Sequence, residues 1–331
     1  MLIDLSGYSF SGKSALYDIL DSMETIGGFG FESEFELLRV HGGLYELVQA
    51  ISTIPWSPMR SDAAIRNFIK LSRNLGGSCS SLKDRIFRLG TYYDDLFPGY
   101  SKEVDLLLKE LVVGHWKGYW PLNTFMANAW EIPFYKTLTK LGSRKSENIY
   151  LSKVESKHAY ALCQAFMSTL ISAASKKLNV KHLLVNNTFE PSASDAMYKL
   201  VSESFPIVVD RDPRDIYISA WLNSKKPDGV GSAIIGDDVR SFIRRFQIYR
   251  DSTIKNENVS YVQFEDMVTD SSYLFQKLSP LNLCYENFRL AWDKVAPNAA
   301  KNIGQWLEPV NKELYEDLEL ISKTLYNYCR N

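Results

Sequence analysis

Apolar residues along the chain follow two rhythms. Short unbroken runs occur at Leu2-Ile3-Asp4-Leu5, at 182–188, at 205–211 and at 259–264. Each is bounded by turn-forming or polar residues and reads as a strand buried on both faces. Between them apolar residues recur at three- and four-residue steps. Ala15, Leu16, Ile19 and Leu20 open the first such segment, and others are expected at about 155–178, 192–203, 214–223 and 237–252. Strands alternating with helices specify a parallel sheet with crossover helices. Residues 41–150 differ. Leu47, Val48, Ile51 and Ile54, then Ile65, Phe68, Ile69 and Leu71, keep helical spacing, Pro55 and Pro58 punctuate them, and strand signals are scarce. This reads as a mostly helical insertion lying over the sheet. Within it Trp116, Tyr119, Trp120, Phe125, Trp130, Phe134 and Tyr135 crowd together. A core of the insertion is preferred over a stacking platform, because aromatics dominate cores. The C-terminal third is helical apart from a loop at 297–304.

Composition narrows the partners. The 331 residues are 45% hydrophobic and 23% charged, with a net charge of −1. That is ordinary for a globular protein and lacks the basic excess of a nucleic-acid binder. Any anion site must be local. Cys79, Cys163, Cys284 and Cys329 are scattered, which suggests neither a metal centre nor a disulfide framework and fits a reducing compartment. No apolar run approaches the roughly 18 residues of a membrane span. No signal peptide is visible, so the cytoplasm is expected.

The clearest chemistry lies at the start. Gly7-Tyr8-Ser9-Phe10-Ser11-Gly12-Lys13-Ser14 matches G-x-x-x-x-G-K-[ST], between a strand and a helix. Glycines let the backbone wrap so that N–H groups point inward, and the helix N-terminus adds partial positive charge. Lys13 supplies a mobile full charge and Ser14 a hydroxyl. Downstream, Glu32, Glu34 and Glu36 follow a short strand. They stand either at the carboxyl end of the sheet, where ligands of open α/β folds bind, or at a helix start, where they match the dipole. A second anion site is readable at Asp210-Arg211-Asp212-Pro213-Arg214-Asp215. Arg211 ends a strand, Pro213 suits a first helical turn, and Ser219 follows about one and a half turns later. Arginine and serine can converge on one anion. Surface ion pairing among these charges is the plainer alternative.

Arg-x-Pro-x-Asp followed by Ser, behind a buried strand, resembles the 3′-phosphate site of sulfotransferases that use 3′-phosphoadenosine 5′-phosphosulfate (PAPS). Ser6–Ser14 is similar to that family's 5′-phosphosulfate loop. Val259–Met267 resembles its following strand and Glu-Asp-Leu. Lys301-Asn302-Ile303-Gly304-Gln305-Trp306 is similar to its late basic Gly-x-Trp loop, although asparagine replaces the first glycine. The resemblance spans about 1–40 and 180–310. It implies that Ser9, Phe10, Ser11, Gly12, Lys13 and Ser14 bind the phosphosulfate, that Arg211 and Ser219 grip the 3′-phosphate, and that Lys301 and Gly304 close over it. It implies PAPS as donor, adenosine 3′,5′-bisphosphate as product and no metal requirement.

Sulfuryl transfer parallels phosphoryl transfer, in which positioning and charge stabilisation dominate. The resemblance implies that Lys13 neutralises charge growing on the bridging oxygen of the leaving phosphate. The family's carbohydrate branch takes its base from a Glu-x-x-Phe context, so Glu32 is the first candidate and Glu34 the second. A carboxylate buried beside Phe35 can gain the raised pKa a base needs. His41 and His115 are the candidates if the base is histidine. The acceptor expected is a hydroxyl on a saccharide or glycan precursor. The fold expected is a three-layer, P-loop-like parallel α/β domain spanning 1–331, its 41–150 insertion covering the acceptor site. Two other readings remain. One is a P-loop kinase, with Asp210 as metal-binding aspartate and the arginine-rich 240–250 helix as lid. The other is a nucleotide-binding module without catalysis.

Overall fold

The structure is a computed structural model that describes residues 1–53, 55–120, 127–142, 146–253, 255–308 and 314–330. Ile54 and Phe125 lie outside the described residues. The chain divides into two compact units, one of Met1–Arg39, Leu96–Pro98 and Met167–Asn331, the other of Val40–Asp95 and Gly99–Phe166.

The first unit is built on five parallel strands: β1 (Leu2–Gly7), β2 (Ile26–Gly28), β3 (His182–Asn186), β4 (Ser204–Asp210) and β5 (Ser260–Gln263), in the order β2-β3-β1-β4-β5. Helices flank both faces. Successive residues of β4 alternate between them. Phe205, Ile207 and Val209 join a core with Leu16, Leu20, Phe288 and Trp292, from α1 (Lys13–Asp21) and α4 (Tyr285–Ala299). Val208 joins Ile216, Ile218, Phe242 and Phe246, from α2 (Pro213–Ser224) and α3 (Val239–Asp251). A strand covered on both faces must be apolar throughout, and the run-type pattern reports this. The result is three layers, helix on sheet on helix. β1 is central: Leu5 pairs with Asn186 of β3 and with Ile207 of β4. The chain leaves its carboxyl end into the glycine loop, at the point where strand order reverses and α/β folds place ligands.

Two sequence expectations shift here. The helix expected over 192–203 is one turn, Asp195–Tyr198. The loop expected at 297–304 begins later, because α4 carries Pro297 within its last turn.

The second unit packs helices Leu44–Ser52, Pro58–Leu75 and Tyr100–Leu111 around buried Leu47, Val48, Ile51, Ile65, Phe68 and Leu107. It also holds an antiparallel pair, Gly114–Gly118 with Glu147–Leu151, which the sequence pattern did not reveal. Among the described residues of the aromatic cluster, none is buried. Trp116, Trp130 and Phe134 are exposed, and the helix Glu131–Lys140 buries none of its residues. Aromatic density reports apolar area, not which side it faces. No helix among the described residues is long and apolar enough to cross a membrane.

Candidate active site

The glycine loop needs glycine at both ends. A Cβ on Gly7 would stand 2.5 Å from the Val209 carbonyl, and one on Gly12 would stand 2.3 Å from the Phe264 ring. Gly12 also adopts the left-handed conformation, φ 84°, as it caps α1. The Ser11 amide donates to the Tyr8 carbonyl at 3.0 Å, which closes the loop. Ser11 is buried, and its hydroxyl has no hydrogen-bond partner. Both Ser11 and Lys13 line a cavity of about 1100 Å³ at the carboxyl end of β1.

Lys13 does not stand alone there. Its Nζ donates to Asn187 Oδ1 at 2.5 Å, and Asn187 Nδ2 donates to Glu34 Oε1 at 2.5 Å. Asn187 sits just past β3 at φ 56°, its amide donating to the Leu5 carbonyl at 3.0 Å. Burial pulls the Lys13 pKa below its usual value, against the nearby charges of Asp4 and Glu34. Asp4, wholly buried in β1, accepts from the Thr188 amide at 2.7 Å and is pushed up to about 7 by burial.

The segment after β2 is stitched to the end of β3. The Phe35 amide donates to the Asn186 carbonyl at 2.9 Å, and Asn186 Nδ2 to the Phe31 carbonyl at 2.5 Å. This stitching turns Glu34 into the cavity. Glu32 is exposed and is not among the lining residues. Glu34 is exposed as well, but its hydrogen bond to Asn187 links the second candidate base to Lys13, whereas the first does not line the cavity. Arg39 binds Glu34 at 2.9 Å, Glu36 at 2.7 Å and Glu190 at 2.7 Å. Burial and the neighbouring Glu34 raise Glu36 to about 7. Burial acts the same way on Glu34, but hydrogen bonds from Glu36 and Asn187 and the charge of Arg39 outweigh it and hold Glu34 low. His41 is exposed and paired with Glu46 at 3.0 Å in the second unit, where His115 also lies.

On the other side of the glycine loop is a cavity of about 350 Å³, lined by Phe10, Gly12, Ser14, Arg211, Ser219 and Asn302 among others. Phe10, Gly12 and Ser14 border both cavities. Arg211 is only 4% exposed. Its guanidinium donates to Ser219 Oγ and the Phe10 carbonyl, each at 3.1 Å, and to the Asn302 carbonyl at 2.5 Å. Its Nε has no partner. Surface ion pairing does not describe this stretch, since Asp212, Arg214 and Asp215 are buried too. Asp212 caps α2 and chelates Arg214, whose guanidinium lies 3.5 Å over the Trp306 ring. Asp215 accepts from the Gly304 amide at 2.9 Å and the Trp306 amide at 3.3 Å, which latches the late loop. Glu265 accepts from the Asp212 amide at 2.9 Å. Gly304 is in the left-handed region, φ 71°. Lys301 is exposed with Nζ 3.2 Å from Asn298 Oδ1, and it does not line the cavity. Asn302 takes that place through its carbonyl.

Asn187, Arg39 and Glu190 were not singled out from sequence, whereas Asp215 belonged to the Arg-x-Pro-x-Asp motif and Asn302 was noted as a departure from the late loop's pattern. Only Asn187 had a local signal, as a polar residue ending a buried run.

No protein-family model matches the chain, and no curated protein matches it. Among solved structures, the chain is similar to sulfotransferase STF9 from Mycobacterium avium, at 10% identity and a TM-score of 0.39, over 99% of this chain and 75% of that one.

Proposed function

We propose that the protein transfers the sulfuryl group of PAPS to an acceptor hydroxyl, with a saccharide or glycan precursor as acceptor. One observation carries this reading. Arg211 and Ser219, joined at 3.1 Å, stand in a cavity that shares Phe10, Gly12 and Ser14 with the cavity of Lys13. Two separate anion sites a few residues apart suit a nucleotide bearing both a 5′- and a 3′-phosphate group. The residues present fit such a donor: the buried Ser11 hydroxyl and Arg211 Nε are polar atoms with no partner in the protein, each beside one cavity.

Residue roles follow from placement. Loop amides of residues 9–14 and the Ser14 hydroxyl hold the phosphosulfate. Lys13, already lowered in pKa by burial, meets the charge that develops on the leaving phosphate. Glu34 takes the acceptor proton, and Asn187 fixes its distance from Lys13. Asp210 is the residue a kinase reading needs. It is spent in an ion pair with Arg250 and lines a different cavity. The four free cysteines suit the cytoplasm as the proposed compartment.

Titration calorimetry with a chelator present tests the donor. Adenosine 3′,5′-bisphosphate is expected to bind and ATP to bind at least about tenfold more weakly, as loss of one charge-assisted contact pair implies. Arg211→Ala should erase the difference. Equal binding of the two nucleotides to the unaltered protein would refute the donor. Radiolabelled sulfuryl transfer to a panel of glycosides, phenols and sterols then tests catalysis and acceptor class.

A further inference from the structure

α3 has two faces. Phe242, Ile243 and Phe246 pack into the core. Ser241, Arg244, Arg245, Ile248 and Tyr249, three or four residues apart, line the large cavity opposite Lys13. The cavity therefore carries arginines of two kinds. Arg39 is clamped by three carboxylates. Arg244 and Arg245, among the described residues, form no ion pair, and Arg245 has only the Tyr249 ring, 6.0 Å away. Arg244 is exposed and Arg245 half-buried, and both line the same cavity. A cavity wall that keeps both is made for an anion, which a guanidinium fork binds in bidentate fashion.

The donor does not need them. Its phosphates are accounted for by the glycine loop with Lys13 and by Arg211 with Ser219. The face also continues from Ser241 to Ser252, which at a helical rise of about 1.5 Å per residue is roughly 16 Å. That is longer than a sulfuryl group and suits a sugar-sized molecule. We infer that the acceptor bears, beside its reacting hydroxyl, an anionic group (carboxylate, sulfate ester or phosphate ester) held by Arg244 and Arg245. This rests on the sulfuryl-transfer reading and narrows its acceptor.

The test uses the full chain and matched acceptors: an alkyl glucoside, the corresponding glucuronide, its methyl ester, the glucoside 6-sulfate and the glucoside 6-phosphate. kcat/KM is measured at saturating PAPS, and the Kd for adenosine 3′,5′-bisphosphate is measured in parallel. At least one charged acceptor should exceed the neutral glucoside by about tenfold or more, the size of a charged hydrogen-bonded contact. The methyl ester should behave as neutral. The double variant R244A/R245A should collapse the charged-over-neutral ratio and leave the bisphosphate Kd within about twofold. R244Q/R245Q keeps polarity and bulk and serves if the alanine variant melts early. Equal rates for charged and neutral acceptors overturn the inference. A uniform loss of kcat in the variant overturns it as well, since the arginines then act on the transferring group. Weakened bisphosphate binding in the variant does the same, since they then hold the donor. Failure of the unaltered protein to bind the bisphosphate removes the donor reading, whereas intact binding without charge preference removes this inference alone.

Discussion

At the scale of single residues, the site turns on the series Lys13, Asn187 and Glu34. Lys13→Ala removes the cation that the glycine loop itself supplies, and kcat should fall by about 10²- to 10³-fold, as when a single transition-state charge contact is lost. Bisphosphate should still bind through Arg211. Glu34→Gln should lower kcat by about 10²- to 10⁴-fold, while Glu32→Gln, a change on an exposed side chain, stays within about twofold. The reverse order would return the base to Glu32. Glu36 adds a pH signature. Its folded pKa is raised to about 7, so it is neutral below that pH and donates to Glu34, which weakens Glu34 as a base. Above that pH the donor is gone and a like charge appears, so Glu34 becomes more basic. The pH–rate profile should therefore rise through about 7. Glu36→Gln, a permanent donor, should flatten that rise. An unchanged step in that variant would place the titration elsewhere.

At the scale of elements, the turn from β4 into α2 organises the proposed second anion site from its own sequence, because Arg211, Asp212, Asp215 and Ser219 are close along the chain. Periodicity and a helix-start signature suffice to read such a site. The same holds for β1, its glycine loop and α1. Asn187 and Glu190 were not legible, because they reach the site through sheet order and tertiary packing. Asn187 arrives only when β3 pairs with β1 across some 180 residues, and no local pattern encodes that register. Glu34 over Glu32 is likewise decided by the bridge to Asn186, not by spacing from Phe35. The Asp215 latch gives an element-level prediction. Asp215→Ala leaves the Gly304 and Trp306 amides without their acceptor, at a cost of about 1–3 kcal/mol if they stay buried. The late loop should loosen, and with it the Asn302 carbonyl that holds Arg211. Affinity for adenosine 3′,5′-bisphosphate should fall about tenfold. Affinity for adenosine 5′-phosphosulfate, which has no 3′-phosphate, should not change. Asp215→Asn keeps an acceptor oxygen and should restore most of the loss in competition calorimetry. Equal losses for both nucleotides would show that Asp215 serves the fold and not the 3′-phosphate.

For the whole molecule, the central strand carries a buried charge that the proposed function would use. Asp4 is wholly buried in β1, between the two helical layers, and burial raises its pKa from 3.8 to about 7 despite the Thr188 amide and the charge of Lys13. An apolar residue there would avoid burying a carboxylate but would leave the Thr188 and Phe189 amides without their acceptor. The carboxylate sits instead under the loop that must hold Lys13 in a buried, partly dehydrated state, and Asp4 is the largest charge favouring that cation. The stability consequence has a definite sign. The unfolded chain releases the Asp4 proton near 3.8, and the folded chain holds it until about 7. Across that window the folded state binds more protons, so the stabilising contribution is complete below the unfolded pKa and is lost as pH rises through the folded one. One proton corresponds to a slope of up to about 1.4 kcal/mol per pH unit. Asp4→Asn is neutral at every pH and keeps an oxygen for the Thr188 amide. Its melting temperature should match that of the unaltered protein at the acid end of the window and exceed it increasingly toward pH 8. Lys13, without its buried counter-charge, should at the same time lose protons more readily, so kcat falls where stability rises. Parallel melting curves for the two proteins across the window would show that Asp4 keeps its charge in the folded state and that the burial argument is mistaken.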